Sequence, residues 1–552
     1  MIDFPQINRA SSTFCVCILL LTGLTSSAAA EVRLPRIFSQ HMVVQQRMEI
    51  PVWGWAAPGE KIIAELAGSR AQTVADAKGS WSLRLPPLTA GGPHILSVTG
   101  ATQNLSVTDV LVGEVWVASG QSWMTWDVAR ADHAEREIQD AKHPSIRMFN
   151  MPETVALTPL SDGSGKWEVC TPQSVRIFSA CGYFFARHLH QKLGVPIGIL
   201  HASVPGTGLW AWTSREVFER DATLQKRLES FDTAISQFGT KFHERYGSSI
   251  QAWVDARTSA PAGAKIPFPP EVFVHQRPLP EWQAWLARAR ECVANNQPVP
   301  LPPEIQPYPT ADPRNSSRLP STVLFNGMIQ PLIPYGIAGF IWYQGGSEGP
   351  AAYRTLFPLM IQDWRHKWGQ GNVPFLFVQR PNANEKVSGA GPELADFRDA
   401  QAAALTLPNT GMAVAIDIGL PDDLHPTNMQ DAGRRLALLA EKIAYNRDVV
   451  SSGPTFKNLT REGHKLRIQF THIGGGLVAR GNDRLLGFEI AGKDGKYHPA
   501  EAVIDGTSVV VGSNEVAEPI SVRYAWAANP TCNLYNIQQL PAPPFRAVLT
   551  SN

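Results

Sequence analysis

The sequence predicts an α/β fold, a parallel sheet with its helices carried between two β-rich regions. Three observations predict it. Five short apolar runs, Val115–Ala118, Ile197–Leu200, Phe340–Tyr343, Phe375–Val378 and Met412–Ile416, are spread through the middle of the chain with helical sequence between them. Strands that alternate with helices build parallel sheets. The flanking regions instead carry runs of alternating polarity, such as Trp81-Ser82-Leu83-Arg84-Leu85 and Lys465-Leu466-Arg467-Ile468-Gln469-Phe470, the pattern of half-buried strands. At 552 residues the chain also exceeds what one core holds together, so several domains are expected. The division reads 1–30 signal peptide, 31–110 N-terminal β-sandwich-like domain, 111–450 α/β domain with an insertion at about 215–320, and 451–552 C-terminal β-rich domain.

Residues 1–30 combine Arg9, an apolar stretch Phe14–Leu24 and Ala28-Ala29-Ala30. This is the layout of a secretory signal cut after Ala30, with an apolar stretch too short to span a bilayer. A periplasmic or secreted protein is expected, with no membrane attachment once the signal is removed. Of six cysteines, Cys15 and Cys17 leave with the signal, and Cys170, Cys181, Cys292 and Cys532 remain. Export permits pairing, but free buried thiols stay equally open. The formal charge of +1 gives no basic footprint for nucleic acid.

In the N-terminal region Pro58-Gly59, Lys78-Gly79 and Gly91-Gly92-Pro93 separate the strands. Trp53 and Trp55 share a strand face, read first as core and second as a sugar platform. The insertion opens with charged helical sequence, Glu216 to Tyr246, and adds a helix Glu281–Ala294. It closes in proline-rich sequence, Pro298–Pro320, which excludes regular helix and central strand. It reads either as a wall over the site or as peripheral decoration. A helix from Asn428 to Tyr445 ends the α/β region.

In open parallel sheets ligands bind off the carboxyl ends of the strands. The candidate residues therefore follow the apolar runs. The first is Gly120-Gln121-Ser122-Trp123-Met124, a strand, tight turn and helix start. Ser122 there is either an N-cap or a nucleophile over a helix N-terminus. After the last run come Asp422 and His425, three apart. That spacing lets a carboxylate orient an imidazole whose other nitrogen acts as base. Asp423 and Asp417 are the runner-up acids. Backbone N–H groups of Ser122 and Gly206 and the amide of Gln344 are candidate oxyanion donors. No HExxH, P-loop or dinucleotide fingerprint is present in the sequence, so no metal or cofactor is expected.

These motifs sit in a wider pattern: Gly113-Glu114-Val115-Trp116 ahead of Gly120-Gln121-Ser122; Phe325-Asn326-Gly327-Met328-Ile329 with Ile341-Trp342-Tyr343-Gln344-Gly345; Thr410-Gly411-Met412-Ala413-Val414; His425-Pro426 with Gly433-Arg434-Arg435-Leu436; and Tyr524-Ala525-Trp526 with Asn533-Leu534-Tyr535-Asn536. The chain resembles the sialate O-acetylesterase family of GDSL/SGNH-type serine hydrolases over nearly all of the mature protein. The resemblance implies a flavodoxin-like SGNH hydrolase sheet and removal of O-acetyl esters from carbohydrates, sialic acids or plant-type glycans. It implies Ser122 as nucleophile, His425 as base and Asp422 as its acid, with an O-acetylated carbohydrate as the partner. Oligomeric state stays open.

Five positions depart from the family's usual residues: Trp123 for asparagine, Pro205 for glycine, Trp210 for glutamate, Gly346 for glutamate and Glu348 for asparagine. Gln121, Trp123, Trp210 and Arg380 are candidate substrate-binding residues, the tryptophans by stacking on a sugar ring. A sialate carboxylate would call for a cation near the site; Arg380 and Arg398 are candidates, and surface or structural pairing explains either arginine equally well. The alternatives are a weak or inactive glycan-binding homologue, and an esterase for apolar acyl chains.

Overall fold

The computed structural model describes residues 31–229, 232, 233, 252, 288, 321–345, 348–388, 393–481 and 483–549. The first strands are β1 (Val43–Gln45), β2 (Ile50–Trp55), β3 (Lys61–Leu66), β4 (Ser69–Val74), β5 (Ser80–Leu85) and β6 (Gly91–Thr99). β5 buries Trp81, Leu83 and Leu85 and exposes the residues between them, as its alternation predicts. Trp53 packs edge-on against Phe38, and Trp55 lies under Arg33.

β7 (Asn104–Gly120) is the strand both regions share. Its first half alternates in burial and pairs with β6. From Val110 onward every residue is buried. The pattern changes where the sheet passes from one wet face to two covered faces.

The core adds β8 (His143–Asn150), β9 (Lys166–Cys170), β10 (Ile197–Ser203), β11 (Gly339–Tyr343), β12 (Phe375–Val378) and β13 (Thr410–Ala413). They lie in the order β13-β12-β11-β7-β10-β8-β9, parallel except for the β8–β9 edge. The five apolar runs fall in or overlap five of these strands. Numbered along the chain, those five lie in the flavodoxin-like order 2-1-3-4-5. Strand order reverses at β7, which places a crevice at its carboxyl end. β8 and β9 lie outside the five runs. β8 carries Arg147 in mid-strand, tolerated because it pairs with Asp109 at 2.9 Å.

Successive residues serve opposite faces. Val115 and Val117 join Phe340 and Trp342 in one core, while Trp116 and Ala118 join Ile341 and Tyr343 in the other. The second core is closed by the helices Ala180–Leu193 and Met429–Ile443. Gly433 lets these approach closely, since a Cβ there would lie 2.8 Å from Phe185 N. Asn428 caps the later helix, accepting from Asp431 N–H at 3.0 Å.

Residues 455–548 form two four-stranded sheets and a two-stranded ribbon around a separate core that includes Leu466, Ile468, Val509 and Tyr524. Of the insertion, the helix Arg215–Arg220 and residues 222–229 bear out its charged helical start. The signal segment, the helix expected over Glu281–Ala294, the proline-rich stretch, Cys292 and Gly346 lie outside the described residues, single positions apart. Cys170, Cys181 and Cys532 are unpaired among the described residues. No helix among those residues is long and apolar enough to cross a membrane.

Gly120 closes β7 with φ +139°, and a Cβ there would lie 2.2 Å from Tyr343 O. Replacement Gly120→Ala is therefore expected to cost about 3 kcal/mol or more, from strain and overpacking together. Urea denaturation reads this as a lower midpoint at unchanged slope. A wild-type midpoint would show that the strand end has room to spare.

Candidate active site

Three strand ends stand level at the reversal point. Gly120 pairs in register with Ser203 of β10 on one side and Tyr343 of β11 on the other. Gln121 N–H then donates to Tyr343 O at 3.1 Å. The short helix α1 (Ser122–Thr125) begins at once, and its N-cap residue is Gln121. Ser122 is therefore the first helical residue rather than the cap. As such its N–H has no intrahelical acceptor.

The neighbouring turns are stitched together by amides. With its carboxamide oriented to satisfy both neighbours, Gln121 donates to Thr207 O and accepts from Gly345 N, each at 3.2 Å. Gln344 donates to the same Thr207 O at 3.0 Å and is fully buried. Gln121 thus bridges two strand-end loops. Gly206 sits in the same turn at φ +69°.

His425 lies at the rim, its side chain 27% exposed. Its ring stacks on Trp126 at 4.9 Å and 12°, and lies 6.4 Å from the ring of Trp123. Trp123 Nε1 donates to Leu424 O at 2.9 Å, fastening the histidine loop to α1. The imidazole is thus held by residues one and four positions after Ser122. His425 Nε2 is buried and has no hydrogen-bond partner among the described residues. Burial lowers its pKa below the ordinary 6.5, the Asp423 charge opposes this, and Arg130 adds to it. The shift favours the neutral ring, the form a base needs.

The carboxylates are arranged differently from the sequence expectation. Asp422 Oδ1 accepts from Asn384 Nδ2 at 2.9 Å. Asp423 lies nearer the imidazole, with Oδ1 3.9 Å from Nδ1, and it also accepts the His425 backbone N–H at 2.9 Å. Asp417 is a structural residue: it takes both guanidinium nitrogens of Arg435 at 2.6 and 2.8 Å and the Tyr535 hydroxyl at 2.9 Å.

Several candidate ligand residues prove to be scaffold. Trp123 is 1% exposed and stacks on Tyr343, so a sugar cannot lie on it in this conformation. Gly345 is what admits it, since a Cβ there would lie 2.1 Å from the indole. Arg380 is buried behind Trp123 and Phe397, and burial pushes its pKa down to about 10. Arg398 is fully buried with its donors on the carbonyls of Arg380, Pro381, Ala527 and Ala528. It is not available to a substrate carboxylate. Trp210 stays partly exposed, with the Arg227 guanidinium 4.1 Å over its ring.

One buried chain was not foreseen. Asn150 Oδ1 meets His201 Nδ1 at 3.1 Å, His201 Nε2 meets Ser203 Oγ at 2.7 Å, and Ser203 meets Thr125 Oγ1 at 2.7 Å. It braces α1 from beneath. Burial pulls the His201 pKa down to about 4. The only sequence signal was polar residues at alternate positions of an apolar strand.

No protein-family model matches the chain. A crystal structure of a carbohydrate acetylesterase from Xanthomonas citri is 34% identical and superposes with a TM-score of 0.72, covering 94% of this chain and 99% of that one. Sialate O-acetylesterase of Mus musculus is 27% identical over 587 residues, covering 97% of this chain and 98% of that one. The Homo sapiens enzyme of the same name is 25% identical, covering 96% and 95%. Fold and relatives together define a carboxylic ester hydrolase. The chain belongs to the sialate O-acetylesterase family of carbohydrate acetylesterases.

With His425 as the base, the reaction would need the neutral ring, and its rate would fall as pH falls through the folded-state pKa. The acid limb of kcat/KM is expected to have its midpoint below 6.5. Asp423→Asn removes the charge that opposes the depression and is expected to move that midpoint lower still. A midpoint above 6.5 would mean that the imidazole is not desolvated as described.

Proposed function

We propose that the protein is an exported carbohydrate O-acetylesterase that works through an acetyl-serine intermediate on a flavodoxin-like SGNH-type core. Ser122 Oγ attacks the acetyl carbonyl and passes its proton to His425 Nε2. Ser122 N–H, Gly206 N–H and the second N–H of the Gln344 amide hold the tetrahedral oxyanion. The intermediate collapses, His425 protonates the departing sugar oxygen, and the acetyl group stays on Ser122 as an ester. Water, deprotonated by the same histidine, then releases acetate and restores the serine.

The observation that carries this reading is the placement of His425. Its ring is stacked on the end of the helix that Ser122 begins, with a buried and unpartnered Nε2. Catalytic hydrogen bonds are often long before substrate binds and shorten afterwards. Asp422 is the orienting acid in this reading: Asn384 holds one carboxylate oxygen and leaves the other for Nδ1–H. A second reading gives the role to Asp423, favoured by its 3.9 Å approach. The signal-like pattern of residues 1–30 supports export.

The test is acetate release from 4-nitrophenyl acetate and from acetylated glycans. Ser122→Ala and His425→Ala are each expected to lower kcat at least about a thousandfold with the fold intact. Asp422→Asn is expected to lose more than Asp423→Asn, and the reverse order assigns the role to Asp423. Unchanged turnover in Ser122→Ala would overturn the mechanism.

A further inference from the structure

We infer that Asn384 and Asn529 are positioning residues for the catalytic acid, and that the C-terminal β-rich region thereby supplies part of the active site. The inference rests on the reading of Asp422 as the acid of His425.

Five polar groups form one directed chain of four hydrogen bonds. Gly419 N–H donates to Asn382 Oδ1 at 2.9 Å. Asn382 Nδ2 donates to Asn529 Oδ1 at 2.8 Å. Asn529 Nδ2 donates to Asn384 Oδ1 at 3.0 Å. Asn384 Nδ2 donates to Asp422 Oδ1 at 2.9 Å. Asn382 and Asn384 follow β12, Asp422 follows β13, and Asn529 comes from the C-terminal region.

Both ends fix the polarity. A backbone N–H can only donate, so it faces the Asn382 oxygen. An ionised carboxylate can only accept, so it takes the Asn384 nitrogen. Every amide between them must then present its oxygen to one side and its nitrogen to the other. Amides arranged head to tail polarise one another, and the last bond, to a charged acceptor, is the strongest of the set.

The segment that brings Asn529 is itself seated by the buried arginine. Arg398 donates to Ala527 O and Ala528 O, each at 2.8 Å, while its other donors hold Arg380 O and Pro381 O. Asn384 N–H also donates to Pro421 O at 2.8 Å, beside the acid. The β12 loop, the β13 loop and the C-terminal segment therefore move as one piece at Asp422.

Exposed carboxylates sample several rotamers. An amide on one oxygen of Asp422 restricts that freedom and leaves the other oxygen for the imidazolium that forms during the reaction. The ladder contributes to rate through geometry at Asp422 and touches neither substrate nor His425.

The experiment compares wild type with Asn529→Ala, Asn529→Asp, Asn384→Ala, Asp422→Asn and His425→Ala on 4-nitrophenyl acetate. Rates are normalised to active sites counted by stoichiometric labelling of Ser122 with a fluorophosphonate. Asn529→Asp matters most, because it keeps the shape and removes the donor to Asn384. It and Asn529→Ala are expected to lower kcat about tenfold with KM nearly unchanged. Asn529→Ala should also move the acid-limb midpoint of kcat/KM downward, because a carboxylate held less firmly raises the imidazole pKa less, whereas the charge added by Asn529→Asp opposes that shift. In the Asp422→Asn background the Asn529 change should have no further effect on kcat. Lower thermal stability with wild-type kcat and midpoint per labelled site would overturn the proposal and leave Asn529 as structural glue. Full activity in His425→Ala would instead overturn the reading of the site itself.

Discussion

The active face depends on how closely β7 and β11 approach at their carboxyl ends. Gly120 has no Cβ, and the space one would occupy is filled by Tyr343 O. The backbone there adopts a φ that side chains resist, and the chain turns straight into α1. Ser122 therefore leaves the sheet at its edge rather than continuing along it. Gly345 repeats the device on β11, where the missing Cβ admits the Trp123 ring. Two absent side chains thus let backbone and indole close the wall behind the serine.

That wall gives a physical meaning to the departures from the family's usual residues. Trp123 stands where a polar side chain is usual and is buried face to face with Tyr343. Its ring brings roughly 2–3 kcal/mol of apolar burial, and its one donor finds Leu424 O, so nothing polar is stranded. The gain is local rigidity: the loop carrying His425 is fastened to the helix carrying Ser122. Glu348 shows the opposite economy. It is buried against Gly208 and faces the backbone N–H groups of Leu209 and Trp210, and burial raises its pKa. A carboxylate is thus kept among the strand-end loops while Trp210 and Gly346 stand where glutamates are usual.

The fold was legible wherever burial on both faces left a continuous apolar run. β10, β11 and β12 read directly, and level strand ends followed from their parallel pairing. β8 was not legible, because His143, Pro144 and Arg147 break its apolar character, and the arginine is made acceptable by Asp109, 38 residues earlier, with the carbonyls of His41 and Pro144. Ser122 and His425 stood out in the sequence because each follows a strand, and the His425 ring stacks on Trp126, next to the helix that Ser122 begins. Which carboxylate meets the imidazole was not legible. A three-residue spacing sets reach, but Asn384 competes for Asp422 from a different loop. Trp123, Arg380 and Arg398 misled for a related reason. Composition shows an aromatic or a cation near a site, whereas only packing shows that Trp123 faces Tyr343 and that Arg398 is consumed by carbonyls.

Arg398 explains why a buried charge is worth its cost here. Removing a guanidinium from water is expensive, and burial, with the nearby Arg380 charge adding to it, pulls its pKa down to about 9. An apolar side chain of similar size would pack without that penalty, but it would take a donor away from each of four carbonyls of two regions. Unmade hydrogen bonds of that kind cost about 1–3 kcal/mol each. The planar fork also does what no apolar contact does: it fixes the angle as well as the distance between the β12 loop and residues 527–528. Hydrophobic contact tolerates sliding, whereas four directed bonds from one rigid group do not. Asn529 follows immediately in sequence, so its carboxamide reaches the acid loop in a set orientation. The exposed Asp422 carboxylate is thus tied through Asn384 and Asn529 to a segment held by a fully buried group.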